Sequence, residues 1–480
     1  MLTTLFRNPG PAIFALVFSL LGAPALAAPA PTASLFEPGD RWIAIGDSIT
    51  QNGRYLDWTA LYLLLRSPDS SPTLQNAGIS GDSAAGALRR FEWDILPADR
   101  SSTVATIMLG MNDVGRDLYA PDKSDDDALQ LLRQTRLDHY ARSLRALVNQ
   151  LQARGLRVAL VTPSPYDDTS LVATPNLPGT NAALARCADL VRDLARDTGC
   201  TVVDLHGPLT ALVARLQAAS PAAVPMGRDR VHPDDAGHFT MAYHLIRAHH
   251  PAGPITRVHL HGPAGAPRQL DSAILSDASG NITSAAGWTA TYLARSLPFP
   301  VPEGARAALD WVPFTSELNT ESLRATGLPA GRYILEIDGH PVGEFSEERL
   351  AAGINLAELP TPQRAQAENV AAILQRRREI VQNLRLLAKV EHWQAGDAKP
   401  PFTLAGMEAS LVAWEKKLQA QPGHWEATHP ARYRALKPVE NDLVAQADTL
   451  LAEARAAARP LPRPLRLYPA PHTPDAANAR

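Results

Sequence analysis

The chain has 480 residues, of which 45% are hydrophobic and 20% are charged, and its formal net charge is -3. This composition is that of a globular protein and excludes a fibrous, a disordered or a multi-span membrane chain. The weak net charge and the lack of a nucleic-acid-binding motif argue against DNA or RNA as a partner. Because the chain is about three times as long as a typical domain of ~150 residues, we expect more than one domain.

Residues 1–27 have the features of a secretory signal peptide. Arg7 is their only charged residue, an apolar run extends from Ala12 to Leu21, and Ala25-Leu26-Ala27 forms a small-x-small cleavage signature. An uncleaved membrane anchor is the alternative, but Pro24 and the shortness of the apolar run favour cleavage. The sequence therefore predicts a secreted or periplasmic protein with no stable membrane insertion after cleavage.

Residues 35–250 alternate short β-branched or apolar runs with helical stretches. This alternation is typical of an α/β fold in which helices cover a parallel sheet. In such folds the ligand crevice lies at the carboxyl ends of the strands, so the residues that follow each strand are candidates for chemistry. The predicted strands are Trp42–Ile45, Thr103–Leu109, Arg157–Val161 and Thr201–Leu205, and the predicted helices cover Leu137–Leu151 and Ala182–Leu194.

The pattern changes twice after residue 250. Residues 254–345 consist of short irregular strands and turns, which predict a small β-rich module. Residues 360–458 show helical spacing of apolar residues, with Thr361 as a candidate N-cap before Pro362, and predict a helical region. The prolines of residues 459–480 leave few apolar residues between them, so this tail is predicted to be disordered.

Four separate segments place a reactive residue type near a predicted strand end or turn. Ser48, in Gly46-Asp47-Ser48-Ile49, is the candidate nucleophile. Gly81 leaves a backbone N–H open to a substrate oxygen, and Asn112, in Gly110-Met111-Asn112-Asp113, offers a neutral amide donor. Asp229 precedes His232 by three residues, so its carboxylate can orient the imidazole that takes a proton from Ser48. Each segment alone is also compatible with an ordinary turn.

Together and in this order, the four segments closely resemble the sequence blocks of the SGNH hydrolase superfamily, the GDSL-type esterases and lipases. The resemblance covers about residues 38–250 and implies a flavodoxin-like three-layer sandwich with a parallel sheet. It implies Ser48 as nucleophile and first oxyanion N–H, Gly81 and Asn112 as the other oxyanion donors, and Asp229 and His232 as the rest of a triad. Such a mechanism needs neither a metal nor an organic cofactor.

Two departures from the family pattern are small, because neither removes a reactive group. Ile49 stands where many members have leucine, and Gly78 adds a glycine near the oxyanion position. Ordinary α/β-hydrolases fit less well, since their nucleophile lies in G-x-S-x-G and the second glycine is missing after Ser48.

The resemblance implies a serine esterase that acts on a small-molecule or glycan ester. For an exported member a carbohydrate O-acetylesterase is the first choice, because acylated polysaccharides lie outside the cell. A lipase or lysophospholipase is the enzymatic alternative, and a glycan-binding protein whose C-terminal region carries the main role is the alternative from another class. Tyr166 and Asp167 follow the predicted strand Arg157–Val161 and are predicted to contact substrate, with a proline-stiffened loop as the alternative.

Overall fold

The computed structural model describes residues 35–97 and 101–471. The first part of the chain forms a parallel sheet with the strand order β2-β1-β3-β4-β5. This order is flavodoxin-like, so the predicted α/β fold is confirmed. The predicted signal peptide lies outside the described residues. The strands are β1 (Arg41–Gly46), β2 (Thr73–Gly78), β3 (Val104–Met108), β4 (Arg157–Val161) and β5 (Thr201–Val203).

Helices cover both faces of this sheet. Trp42 of β1 belongs to the core on the side of the second and seventh helices, while Ile43 belongs to the core on the side of the fourth and fifth. Successive side chains of a strand point to opposite faces, so one strand supplies both cores. The helices are α1 (Ser48–Asn52), α2 (Arg54–Arg66), α3 (Ala84–Arg89), α4 (Asp127–Ala153), α5 (Thr180–Thr198), α6 (His206–Ala219) and α7 (Asp235–Arg247), with short irregular turns at Phe91–Ile95 and Arg116–Tyr119.

Two further sheets follow and share one core, which contains Trp288, Tyr292 and Leu335. Their strand orders are β13-β10-β6-β7 and β12-β11-β14-β9-β8. The strands are β6 (Thr256–His261), β7 (Ala266–Asp271), β8 (Ala273–Gly280), β9 (Trp288–Ala294), β10 (Glu321–Thr326), β11 (Arg332–Ile337), β12 (His340–Ser346), β13 (Ile354–Asn355) and β14 (Arg463–Pro469). Between the strands lie α8 (Phe314–Leu318), α9 (Glu347–Ala352) and 3-10 turns at Glu303–Asp310 and Leu356–Glu358.

Strand β14 lies inside its sheet, paired with β11 on one side and with β9 on the other. The predicted disorder of the proline-rich tail is therefore wrong for Arg463–Pro469. Leu465 and Leu467 point into the core, and Arg466 between them points outward. This period-two pattern is enough to form a strand despite the flanking prolines. Residues 472–480 lie outside the described residues.

The helical region between β13 and β14 rests on the α/β part of the chain. Thr361 caps its first helix, α10, as expected, because its hydroxyl accepts the N–H of Arg364 at 3.2 Å. Val370 and Ile373 of α10 join the core beneath α2 and α7. The region consists of α10 (Pro362–Gln394), α11 (Leu404–Gln419), α12 (His429–Leu436), a 3-10 turn at Lys437–Val439 and α13 (Glu440–Ala457).

Helix α10 is the longest helix of the described residues, with 33 residues and a length of about 50 Å. Near its C-terminal end the run Arg385–Glu391 is buried on all sides, because α11 and α12 pack on the face turned away from the parallel sheet. None of the helices in residues 35–97 and 101–471 is both long and apolar enough to cross a membrane.

Candidate active site

Ser48 stands at the sharp turn between β1 and α1. Asp47 caps α1, since its Oδ1 accepts the backbone N–H of Ile49 at 3.0 Å. Only glycine fits at position 46, because a Cβ there would lie 2.1 Å from the side chain of Thr50 and 2.8 Å from the carbonyl oxygen of Met108. The turn leaves the Ser48 hydroxyl half-buried at the carboxyl edge of the sheet.

His232 and Asp229 lie in the loop before α7 and face Ser48. Nε2 of His232 is 2.7 Å from Oγ of Ser48, and Nδ1 of His232 is 2.5 Å from Oδ2 of Asp229. Partial burial raises the pKa of Asp229, but the hydrogen bonds that its carboxylate accepts from His232 and Val231 outweigh this effect and lower the pKa to about 2. Asp229 is therefore ionised and favours a proton on Nδ1, which leaves Nε2 as the acceptor for the serine proton.

Gly81 and Asn112 lie at the same edge, in the loops after β2 and β3. Gly81 is exposed, and its φ of 82° lies in the left-handed region that favours glycine. Nδ2 of Asn112 donates to the carbonyl oxygen of Asp82 at 2.8 Å, and its Oδ1 accepts from Arg116 at 3.2 Å. These bonds orient the amide, and because Nδ2 carries two hydrogens, one N–H remains for a substrate oxygen. The structure thus brings both predicted donors to the edge where Ser48 stands.

Tyr166 and Asp167 do not fulfil the expectation of a substrate contact, because both side chains are buried. The Tyr166 hydroxyl accepts the N–H of Leu177 at 3.1 Å. The Asp167 carboxylate accepts the N–H of Ser170 at 2.9 Å and the amide of Gln217 at 2.9 Å. Both residues therefore hold their own loop together, which corresponds to the alternative interpretation of this segment.

Arg230 joins that loop to the loop of His232, a role that sequence analysis missed. Its buried guanidinium donates to the carbonyl oxygens of Asp167, Ser170 and Thr174 at 2.9 to 3.1 Å. Its φ of 69° is unfavourable for a residue with a side chain, so these bonds offset local strain. An arginine between Asp229 and His232 resembles a surface charge in the sequence, and only the folded loop shows its position.

Helix α10 contacts the Gly81 loop at three points that no local motif could indicate. Nε of Arg385 donates to the carbonyl oxygen of Gly78 at 3.1 Å, and Nε1 of Trp393 donates to the carbonyl oxygen of Ser80 at 3.0 Å. Nε2 of His392 lies 3.4 Å from Oδ1 of Asp82. The C-terminal region therefore shapes the loop that carries a predicted oxyanion donor.

A buried chain of ion pairs stabilises the same loop. Arg90 pairs with Asp82 at 2.7 Å and with Asp94 at 2.5 Å, and Arg385 pairs with both oxygens of Asp94 at 2.7 and 2.9 Å. Burial raises the pKa of Asp82, but the charge of Arg90 and its other partners outweigh it and lower the pKa. Two arginines and two aspartates balance in charge, so the loss of any one would leave a buried charge without its partner.

The reactive groups assembled here are a hydroxyl, an imidazole, a carboxylate and several N–H donors. This is the set that acyl transfer by a serine nucleophile requires. In the part of the chain that the structure describes, no group of three or more His, Cys, Asp or Glu side chains is arranged to hold a metal ion.

Comparisons with known proteins agree with this geometry. Residues 44–238 match the model of the GDSL-like lipase/acylhydrolase family. An acetylxylan esterase from Geobacillus stearothermophilus is 26% identical over 224 residues, which are 44% of this chain and 93% of that protein. The solved structure of a gut microbial diltiazem-metabolizing enzyme is similar with a TM-score of 0.81 and 25% identity. That match covers 91% of this chain and 99% of the other, so it includes the additional sheets and helices.

Proposed function

We propose that this chain uses Ser48, His232 and Asp229 as its catalytic triad. Through residues 44–238 the chain belongs to the GDSL-like lipase/acylhydrolase (SGNH) family, and it is a carboxylic ester hydrolase. The observation that carries the proposal is the continuous series of short contacts from Oγ of Ser48 through the imidazole to the Asp229 carboxylate. An ionised Asp229 supports it, because the carboxylate stabilises the imidazolium that forms when His232 accepts the serine proton.

The reaction takes two steps. Oγ of Ser48 attacks the ester carbonyl carbon while Nε2 of His232 takes the hydroxyl proton. The backbone N–H groups of Ser48 and Gly81 and the amide of Asn112 stabilise the oxyanion, and the alcohol then leaves with the proton from His232. Water attacks the acyl-serine, His232 takes the water proton, and the acid is released as Oγ regains its proton.

The proposed substrates are acetyl esters of carbohydrates, and the similarity to an acetylxylan esterase supports this choice. The site is open enough for a bulky glycan, since the side chains of His232 and Asp229 are 45% and 50% exposed. Diltiazem is a second test substrate, because the similar gut enzyme metabolizes it. Export is also part of the proposal and is supported by the pattern of residues 1–27.

Ser48→Ala and Asn112→Ala in the full chain test the assignment. Ser48→Ala should abolish hydrolysis of p-nitrophenyl acetate, because the nucleophile is lost. Asn112→Ala should lower kcat about 10²–10³-fold, the usual effect of removing one oxyanion donor. Initial rates on p-nitrophenyl esters from acetate to palmitate, acetate release from acetylated xylan and turnover of diltiazem measure these effects.

Ser316→Ala, which changes an exposed serine of α8, is the matched control and should behave as the unchanged protein. Wild-type turnover by Ser48→Ala would contradict the triad. A preference for palmitate over acetate would favour the lipase alternative over the carbohydrate esterase.

A further inference from the structure

Helices of the C-terminal region form a cleft beside Gly81, which we call the tryptophan cleft. Its volume is about 340 Å³, within the range of ligand pockets. One side is formed by Ser80 and Gly81, and the ring of Trp393 lies 3.8 Å from the position that a Cβ at Gly81 would take. The cleft therefore adjoins a proposed oxyanion donor. The other lining residues include Trp393, Trp414, Trp425, Lys389, Gln394 and Glu426.

Two of the three tryptophans that line this cleft are unusually accessible, whereas Trp414 is buried. Trp393 is 41% exposed and Trp425 is 65% exposed, and they are the two exposed tryptophans among the described residues. Folding normally buries most of an indole ring, because its apolar area is large. Two such rings left open in one cleft indicate a surface that a ligand covers.

Both exposed rings are held in place before any ligand arrives. The indole N–H of Trp393 donates to the Ser80 carbonyl oxygen at 3.0 Å. The ammonium group of Lys389 stands 3.8 Å from the centre of the Trp425 ring. Rings that are already ordered lose little conformational entropy when a ligand stacks on them, so the cleft is preorganised.

The polar groups of the cleft select among ligand classes. Lys389 and Glu426 form an ion pair at 2.6 Å, so their charges cancel and the pair offers no net attraction to an anion. An acyl chain would cover the partly exposed Glu426 carboxylate and Gln394 amide without hydrogen bonds in return, which is unfavourable. A neutral sugar ring has an apolar C–H face that can stack on indole and hydroxyl groups that can bind the Glu426 carboxylate and the Gln394 amide.

We propose that the tryptophan cleft is a binding subsite for a neutral sugar residue of the glycan that carries the ester. The inference rests on the proposed function, because the cleft is lined by Gly81, one of the proposed oxyanion donors. It also gives the accessory helices a part in substrate selection, through residues that take no part in the chemical steps.

Trp425→Ala in the full chain tests the subsite by steady-state kinetics. For acetylated xylo-oligosaccharides kcat/KM should fall about tenfold, mainly through a higher KM, which is the effect expected for the loss of one aromatic stacking contact. Hydrolysis of p-nitrophenyl acetate should not change, since this ester has no sugar. Trp425→Phe should retain most of the activity on the oligosaccharides. Val412→Ala, at an exposed apolar position of α11 outside the cleft, should match the unchanged protein.

Direct binding completes the test. In a Ser48→Ala chain, xylohexaose, cellohexaose and mannohexaose are titrated while tryptophan fluorescence is recorded. A saturable change with at least one of them, lost on adding Trp425→Ala, supports the subsite. An unchanged KM on oligosaccharides in Trp425→Ala, or no fluorescence change with any of the three, would overturn it.

Binding of lysophosphatidylcholine that Trp425→Ala abolishes would overturn the sugar subsite in favour of a lipid. Failure of the subsite leaves intact the loss of p-nitrophenyl acetate hydrolysis in Ser48→Ala. An unchanged chain that hydrolyses none of the esters would instead overturn the proposed function together with the subsite.

Discussion

Asp113 is a buried carboxyl group next to Asn112 in the chain, and its surroundings disfavour its charge. Its Oδ1 accepts the N–H of Ala84 at 2.9 Å, whereas its Oδ2 has no hydrogen-bond partner within the described residues. Burial, together with the nearby carboxylates of Asp47 and Asp82, raises the pKa of Asp113 from 3.8 to about 7. The native carboxyl thus stays protonated at pH values where the unfolded chain has released the proton.

Asp113→Asn should therefore change how stability depends on pH. Between about pH 4 and pH 7 the native carboxyl binds more protons than the unfolded one, so the free energy of unfolding falls as pH rises. Asparagine can keep the bond to Ala84 without ionising. As pH rises, the free energy of unfolding of the variant should therefore increase relative to that of the unchanged protein, by on the order of 1 kcal/mol for each unit of pKa shift that the substitution removes. Urea unfolding at pH 4.5, 6 and 8 measures the difference. Asp117→Asn, at an exposed position, is the control, and a constant offset at all three pH values would contradict the expectation.

Sequence patterns predicted the position of some site residues and not of others, for a physical reason. Ser48 and Asn112 could be placed because parallel strands end at one edge of a sheet, so residues that follow the strands gather there. Tyr166 also follows a strand, yet its loop folds back through the buried Arg230 and turns the side chain inward. A hydrogen bond between distant loops leaves no periodic signal in the sequence.

At the scale of elements, α10 is the feature that local patterns understate. Helical spacing predicted that residues 360–458 are helical, but not that Trp393 would bind the Ser80 carbonyl oxygen. The carbonyl group of Ser80 and the N–H of Gly81 belong to one planar trans peptide, in which the two groups point in opposite directions. A bond that holds the carbonyl group from one side therefore fixes the direction of the proposed oxyanion donor on the other.

Trp393→Phe should lower kcat on p-nitrophenyl acetate and leave KM nearly unchanged. Phenylalanine keeps an aromatic ring but lacks the indole N–H. The net contribution of one hydrogen bond is about 0.5–1.5 kcal/mol, so its loss corresponds to a roughly 2–13-fold lower kcat. Steady-state kinetics gives the split between kcat and KM. Trp414→Phe, which lines the same cleft without a hydrogen bond to the loop, is the matched control. A kcat equal to that of the unchanged protein would contradict the positioning role.

The strands show where local patterns succeed and where they fail. Trp42–Ile45 and Arg157–Val161 were predicted because buried parallel strands are runs of apolar and β-branched residues. The edge strand β2, with the sequence TLQNAG, lacks such a run and escaped prediction. Strand β14 was missed because its prolines argue against a strand more strongly than the alternation of Leu465 and Leu467 argues for one. The strand forms because it pairs with a neighbouring strand on each side, and the local sequence does not show this pairing.

At the scale of the whole molecule, the α/β part and the accessory region share a core. The Phe239 ring of α7 packs against Phe314 at 4.7 Å and Phe299 at 5.8 Å between ring centroids. The guanidinium of Arg66 donates to the carbonyl oxygens of Leu297 and Leu318, both at 2.6 Å. The accessory region therefore packs against the α/β part and stabilises it.

A chain truncated after Pro251 should be insoluble or fail to unfold cooperatively. The truncation exposes Phe239 and other apolar residues of α2 and α7, and a large exposed apolar patch favours aggregation. The soluble fraction after expression and thermal unfolding followed by circular dichroism measure the outcome, with the full chain as control. A soluble truncated monomer that hydrolyses p-nitrophenyl acetate would contradict this expectation.

The central place of β14 determines when its sheet can be completed. Strands β9 and β11 each pair with β14 on one side, and more than a hundred residues separate the end of β11 at Ile337 from the start of β14 at Arg463. During synthesis these two strands leave the ribosome with unpaired backbone edges, which are prone to join the edges of other chains. Nascent chains that terminate before Arg463 should consequently depend on chaperones and be degraded, because β9 and β11 cannot be joined into one sheet without β14 between them.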